Sequence, residues 1–344
     1  MKNIYENKNL NFETFFDIAR KSGVYINKKI YVRQSSKYNN GIFVNEGVDI
    51  NQNLISLPRK LFISEKTFTD FLLDKKVNYE NLEFLRNYFF SLPSLEYFKK
   101  NNIFFLEKEK KNYLLNFFIE QSPTRIRINH FFENFNKLSD LEKYIALIFK
   151  TRSFKYENNQ YLFPIVDLIN YKYGEPLAIY NKAGMLFENK KILKSNDEFY
   201  QGYDYETNIV SFYLNYNFIP ENFNTISIPA NFFYLDISKK IRDILNENYW
   251  HFNNNKLSNK KQIVFFDLNL PLEFKLEIAK IFPNNSEIKK FVISILQMLK
   301  NEIDKNKLFK FLQQGDSKSA LYPFAKTLQI NVIKIDQMIK TLKT

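Results

Sequence analysis

The sequence predicts an α+β protein in which a β core of short strands is interrupted by a helical insertion and followed by a helical carboxyl-terminal domain. Two observations carry this. The apolar pattern alternates between short turn-bounded runs at 24–63 and 160–219 and helical i, i+3, i+4 stripes at 64–152 and from about 228 to 344. Composition supplies the core: 45% of the 344 residues are apolar and 17% aromatic. A globule of this length buries about 75% of its unfolded surface.

Taken in order, residues 11–22 (NFETFFDIARKS) place Phe12, Phe15, Phe16, Ile18 and Ala19 at helical spacing, with Gly23 as a carboxyl-terminal stop. Between 24 and 63 come the β-like runs YINKKIYVRQ, GIFVNEG and NLISLP, divided by Asn/Gly turns and closed by Pro58. From 64 the stripes of EKTFTDFLLDKK, NLEFLRNYFF, EKEKKNYLLNFFIE and SDLEKYIALIFKTR predict helices. Asp140, with Ser139 before it, is an N-cap signal, and the spacing from Ser139 to Lys143 misses a capping-box Glu by one position. β character returns with QYLFPIVDLINY and IVSFYLNYNFI, and an α-rich region runs to residue 344. The expected division is 1–63, 64–150, 151–222 and 223–344, with no internal repeat and no low-complexity tail.

Composition excludes several chemistries. With no Cys, a disulfide framework, a thiolate-held metal or a Cys nucleophile is ruled out, and a reducing, cytoplasmic compartment fits best. The two His, His130 and His251, cannot form an HExxH site; neither has an identifiable partner, and both read as structural. The seven Gly never fall as GxGxxG or GxxxxGK[ST], which removes dinucleotide-binding and P-loop readings. No apolar run reaches the roughly 18–20 residues of a membrane span. The polar stretch Met1–Leu10 lacks a signal-peptide core, so a soluble, non-secreted protein is expected. The net charge of +13 suggests nucleic acid, yet only eight of the 50 basic residues are Arg, and the Lys excess accompanies the Asn, Ile, Phe and Tyr that A/T-rich codons encode. Compositional bias is the preferred account, and an acidic protein surface remains a compatible partner.

Three segments in order carry a resemblance. NNGIFVNEGVDINQNLISLPRKLFIS (39–64) has a Gly-containing turn at Gly41, then Asp49–Ile50, then an apolar run to Pro58. FPIVDLINY (163–171) matches a P-x-x-D-x-x-N-H pattern, and YQGYDYETNIVSFYLNYNFI (200–219) matches Y-x-x-Y-(D/G) followed by L-x-Y-G-F. Together these resemble SET-domain protein lysine methyltransferases of the RuBisCO large-subunit methyltransferase type. The resemblance covers about 11–64 and 140–219. Elsewhere it rests on order: a helical insertion at 64–150 and a helical substrate-binding domain at 223–344.

What the resemblance implies is methyl transfer from S-adenosylmethionine to a lysine side chain of a protein substrate, giving S-adenosylhomocysteine and requiring no metal. In-line displacement needs a neutral amine about 3–3.5 Å from the methyl carbon, which an apolar channel beside a sulfonium charge favours. By the same resemblance Tyr203 is the catalytic tyrosine, and Tyr180 and Tyr216 wall the lysine channel. Arg152 holds the cofactor carboxylate. Asn40, Gly41 and Ile42 form the turn against the cofactor, and Asn170 and Tyr171 hold its methionine portion and adenine edge. Asp167 is read as a structural hydrogen-bonding group. A monomer is the default, a protein substrate acidic around its target fits the charge, and neither a membrane nor nucleic acid is expected.

The chain departs from the pattern at three places. Tyr171 stands where the family has His, Phe43 takes the second Gly of a G-x-G turn, and Asn217 replaces the Gly of Y-G-F; Asn tolerates positive φ, which makes that exchange mild. Two other readings stay open: methylation of another side chain such as histidine, and a catalytically silent SET-like module that docks an acidic protein or nucleic acid.

Overall fold

The computed structural model describes residues 2–6, 10–33, 40–120, 122–172, 175, 177–202, 209–218, 226–229, 262–265, 284–315, 319 and 321–344. The chain forms two compact units. The first comprises Met1–Asn101 and Leu138–Tyr203, the second Asn102–Lys137 and Asp204–Thr344.

The first unit opens with α1 (Phe12–Lys21), whose N-cap Asn11 accepts from the amides of Glu13 and Thr14 at 3.0 and 3.2 Å. Its stripe buries Phe15, Phe16, Ile18 and Ala19, and Phe15 stacks on Phe84 at 5.6 Å. Gly23 ends the helix at φ 93°, a conformation that side chains other than Gly or Asn resist. Short strands follow as expected: β1 (Tyr25–Ile26), β2 (Ile30–Arg33), β3 (Gly41–Val44), β4 (Asn53–Pro58) and β5 (Ile63–Ser64). Helices α2 (Glu65–Leu72), α3 (Leu82–Ser91), α4 (Leu95–Asn101) and, after the second unit's first segment, α7 (Asp140–Arg152) carry the helical stripes. The strands resume as β6 (Ser153–Tyr156), β7 (Asn159–Leu162), β8 (Asn170–Tyr171), β9 (Ile179–Asn181), β10 (Gly184–Glu188) and β11 (Glu198–Gln201).

These strands make two four-stranded sheets, ordered β1-β4-β10-β9 and β2-β3-β11-β8, and a three-stranded sheet, β5-β7-β6. Each sheet joins strands from both sides of the helical stretch. In the second, β11 is antiparallel to β3, with Glu198 opposite Phe43, and parallel to β8, with Tyr200 opposite Asn170. That placement assembles the candidate site. An aromatic core of Phe62, Phe154, Tyr156 and Phe163 packs at ring separations of 4.3–5.3 Å.

The second unit contains α5 (Lys108–Leu115), α6 (Pro123–Asn136), α8 (Ile209–Tyr216), α9 (Asn285–Asn301), α10 (Lys305–Gln314) and α11 (Leu321–Lys343), with the hairpin of β12 (Ile226–Pro229) and β13 (Gln262–Phe265). Among the described residues no helix is long and apolar enough to cross a membrane.

Four expectations are corrected. The β-branched and aromatic run at 209–216 is a helix, because Ile209, Val210, Phe212, Tyr213 and Leu214 are all buried and Tyr213 packs on Phe324 of α11 at 5.6 Å. The hairpin lies within the region read as α-rich. Helix α6 lies within the helical stretch 64–152: Ser122 caps it by accepting from the Arg125 amide at 3.2 Å and Pro123 occupies the first position, where its missing N–H costs nothing. The capping box at α7 is complete. Three residues on from Ser139 is Glu142 itself, whose carboxylate accepts from the Ser139 amide at 2.7 Å. Finally, His130 has a partner, Asn134 Nδ2 at 2.8 Å; His251 lies outside the described residues.

Candidate functional site

The expected cofactor turn and Asn170 meet. Strand β11 lies between β3 and β8 and brings the two ends of the resemblance together. The Asn170 side-chain amide donates to the Asn40 carbonyl at 2.9 Å and to Glu198 Oε1 at 2.6 Å, and Tyr200 donates its hydroxyl to Glu198 Oε2 at 2.7 Å. Gly41 is required there on steric grounds. A Cβ on it would overlap Glu198 Oε1 and stand 2.7 Å from Asn170 Nδ2. Ile42, the next residue, is fully buried within β3, between Val32 of β2 and Phe199 of β11. Sequence reasoning missed Glu198, and a lone acid inside a strand-like segment gave no signal of an Asn partner 28 residues away.

Phe43 points into the protein at 5% exposure, with Arg33 4.0 Å over its ring. Tyr171 is 3% exposed on β8. Beside it, the Gln201 amide donates to the carbonyls of Val166 and Ile169 at 3.3 and 3.1 Å and pins the segment between Phe163 and Asn170. Within that segment the buried Ile165 holds φ 74° and ψ −43°. For a β-branched residue this is a strained conformation, of the kind that persists where surrounding structure enforces it.

Arg152 ends α7 beside the same segment. Its Nη1 donates to the Asp167 main-chain oxygen at 3.2 Å and to Asp167 Oδ2 at 3.1 Å. Tyr88 of α3, fully buried, donates its hydroxyl to that same Oδ2 at 2.8 Å. Asp167 is thus the structural group expected, and Tyr88 is a member that sequence reasoning missed. Its place on a buried stripe marked it as core, although a phenol in such a place needs a hydrogen-bond partner. Burial pushes the Asp167 carboxyl up, opposed by the Arg152 charge and the Tyr88 hydroxyl. Burial also holds the Tyr88 phenol well above its ordinary value, so it stays a donor.

The other expected residues fall elsewhere. Tyr180, on β9, is 38% exposed with its ring 5.9 Å from Phe163 and 6.0 Å from Tyr156, and burial pushes its hydroxyl up. Tyr216 ends α8 in the second unit, its ring 4.7 Å from Phe212. Tyr203 lies outside the described residues. Among the described residues no group of three or more His, Asp or Glu could hold a metal ion.

The donor set fits an amino-acid-bearing cofactor. Arg152 carries a guanidinium, the group that pairs with a carboxylate, and its Nη1 is engaged by Asp167, while Asn40 leads into β3, whose first residue, Gly41, has no side chain. Asp167, which holds Arg152, and Asn170, which holds Asn40, are three residues apart, a span of at most about 11 Å of chain.

No family model matches the sequence, and no curated protein matches it. Solved structures do. The SET domain of LSMT bound to lysine and AdoHcy is similar over 96% of this chain and 90% of its own, with 14% identity and a TM-score of 0.56. Rubisco LSMT bound to AdoMet is similar over 96% and 91%, with 14% identity and a TM-score of 0.57, and the same figures hold for Rubisco LSMT bound to sinefungin and monomethyllysine. The fold of this chain is therefore the SET-domain fold of that protein, with its helical carboxyl-terminal region.

Proposed function

We propose that the chain is an S-adenosylmethionine-dependent protein methyltransferase acting on lysine side chains of a protein substrate. The observation that supports this most directly is the Asn170 amide bonded to Asn40 at 2.9 Å beside a Gly41 that admits no side chain. That arrangement fixes the backbone at the position that the resemblance assigns to the cofactor.

When bound, S-adenosylmethionine would supply an electrophilic methyl on a sulfonium, leaving as S-adenosylhomocysteine. The residues of the chain do the rest. Arg152 holds the carboxylate by charge-assisted hydrogen bonds, with Asp167 and Tyr88 fixing its direction. Asn40, Gly41 and Ile42 present main chain to the cofactor, and Asn170 and Tyr171 border its methionine portion and adenine. The resemblance assigns Tyr180 and Tyr216 to the channel of the acceptor lysine, where desolvation would keep the amine neutral. The Tyr203 hydroxyl aligns the displacement. No metal takes part in this scheme, and the Cys-free sequence suits a reducing cytoplasm.

The test is calorimetric titration with S-adenosylmethionine and S-adenosylhomocysteine, on the wild type and on Arg152→Ala. Micromolar binding that the variant loses supports the reading, and Tyr203→Phe is then the inactive control in a search for methylated proteins. Absence of binding to both ligands removes the enzyme and leaves a silent SET-like binding module.

A further inference from the structure

Within the second unit, α5 and α10 border a surface groove of about 380 Å3 that none of the roles above uses. Its apolar part is three rings: Tyr113 and Phe117 meet edge-on at 5.6 Å, and Phe311 of α10 lies 5.7 and 5.3 Å from them. Phe117 forms the floor at 1% exposure, whereas Tyr113 stands as a wall at 46%. The rim is cationic. Lys307 and Lys310 line the groove one helical turn apart, on a helix, KNKLFKFLQQ, with three Lys and no acid. Lys307 has the half-buried N-cap Asp304 at 3.1 Å, an i, i+3 pair of the weak kind. Gly315 closes one end, where a Cβ would press to 3.0 Å on the Phe311 ring.

We propose that this groove docks an acidic segment of the protein partner, which buries one aromatic or aliphatic side chain against Tyr113, Phe117 and Phe311 and sets carboxylates on Lys307 and Lys310. The identification of that partner with the methyl acceptor rests on the methyltransferase reading; the docking chemistry does not. A volume of about 380 Å3 accommodates an anchor side chain with its flanking backbone. Charge complementarity selects the occupant. A second copy of this chain, at +13, is repelled by the first. A nucleic-acid strand needs exposed ring faces and favours Arg, but here one ring is exposed, the others are packed against each other, and no Arg lines the groove.

The experiment is fluorescence anisotropy on the full chain with a fluorescein-labelled dodecapeptide carrying one Phe between runs of Glu. Controls are the same peptide with Ser for Phe and with Lys for Glu. The groove predicts binding that falls about tenfold from low to physiological salt, that needs both the Phe and the Glu, and that weakens at least tenfold in Lys307→Glu/Lys310→Glu and in Tyr113→Ala. Circular dichroism establishes that these variants, all altered at exposed positions, remain folded. No binding by the wild type, equal binding by the variants, or displacement of the peptide by a single-stranded oligonucleotide that binds tighter would each overturn the proposal. S-adenosylmethionine titrations of the same proteins separate the two readings: peptide binding without cofactor binding leaves the groove and removes the enzyme, and cofactor binding without peptide binding does the reverse.

Discussion

The Tyr88 hydroxyl donates to Asp167 Oδ2 at 2.8 Å, the same oxygen that receives Arg152 Nη1 at 3.1 Å. A helix of the first half of the chain thereby sets the direction of the one guanidinium assigned to the cofactor. The arrangement costs desolvation, since Asp167 exposes 1% of its side chain and its Oδ1 has no hydrogen-bond partner among the described residues. Tyr88→Phe leaves the carboxylate one donor short. It is expected to destabilise the chain by about 1–3 kcal/mol, read as a lower urea midpoint at unchanged slope. Asp167→Ala, which strips Arg152 of its counter-charge, is expected to cost more than Tyr88→Phe; equal or smaller loss would show that the carboxylate is not what the phenol and guanidinium serve.

At the cofactor turn the prediction is steric. Gly41→Ala forces its methyl group onto Glu198 and Asn170, and overpacking of this kind costs about 1–3 kcal/mol. Because the displaced group is the Asn170 amide that holds Asn40, S-adenosylmethionine affinity should fall at least tenfold by calorimetry. Glu198→Ala opens the space the methyl group needs, so the double variant should recover stability relative to Gly41→Ala. Failure of that recovery would place the strain elsewhere.

Asn217 tests the third departure from the sequence pattern. It follows α8 with φ 59°, its amide bonded to the Tyr213 carbonyl at 2.7 Å, which is the left-handed helix ending where Gly or Asn is favoured. Asn217→Gly should therefore be within about 0.5 kcal/mol of the wild type, and Asn217→Ala lower by about 1 kcal/mol. Thermal unfolding followed by circular dichroism ranks the two, and the opposite order would contradict the backbone assignment.

Much of the fold was legible because its signals are local. The stripe of α1, its Gly23 stop and the strands up to Pro58 follow from periodicity and turn residues within a few positions. The failures have local causes too. IVSFYLNY has strand composition, and the burial of Ile209, Val210, Phe212, Tyr213 and Leu214, with Tyr213 against α11, goes with a helix. What no single-sequence reading could supply is pairing across distance. Asn170 was named for its motif, but its bond to Glu198 depends on β11 entering between β3 and β8. Likewise Tyr88 reaches Asp167 across 79 positions, and neither residue type announces the other.

The second unit carries a pH-dependent element. Glu302 caps α9 at 5% exposure and accepts from the Thr124 hydroxyl at 2.6 Å, with Ser122 and Arg127 also acting on its carboxyl. Burial outweighs these partners and raises its pKa from an ordinary 4.5 to about 7. The folded chain therefore holds a proton that the unfolded chain releases between those values. Stability from this group is complete below about pH 4.5 and is lost as pH rises toward 7, by up to about 3 kcal/mol. Glu302→Gln keeps the shape and removes the titration. Subtracting urea midpoints of the variant from those of the wild type between pH 4.5 and 8 should give a difference that falls as pH rises and levels off above about 7, whereas a flat difference would mean that Glu302 titrates as an ordinary carboxylate.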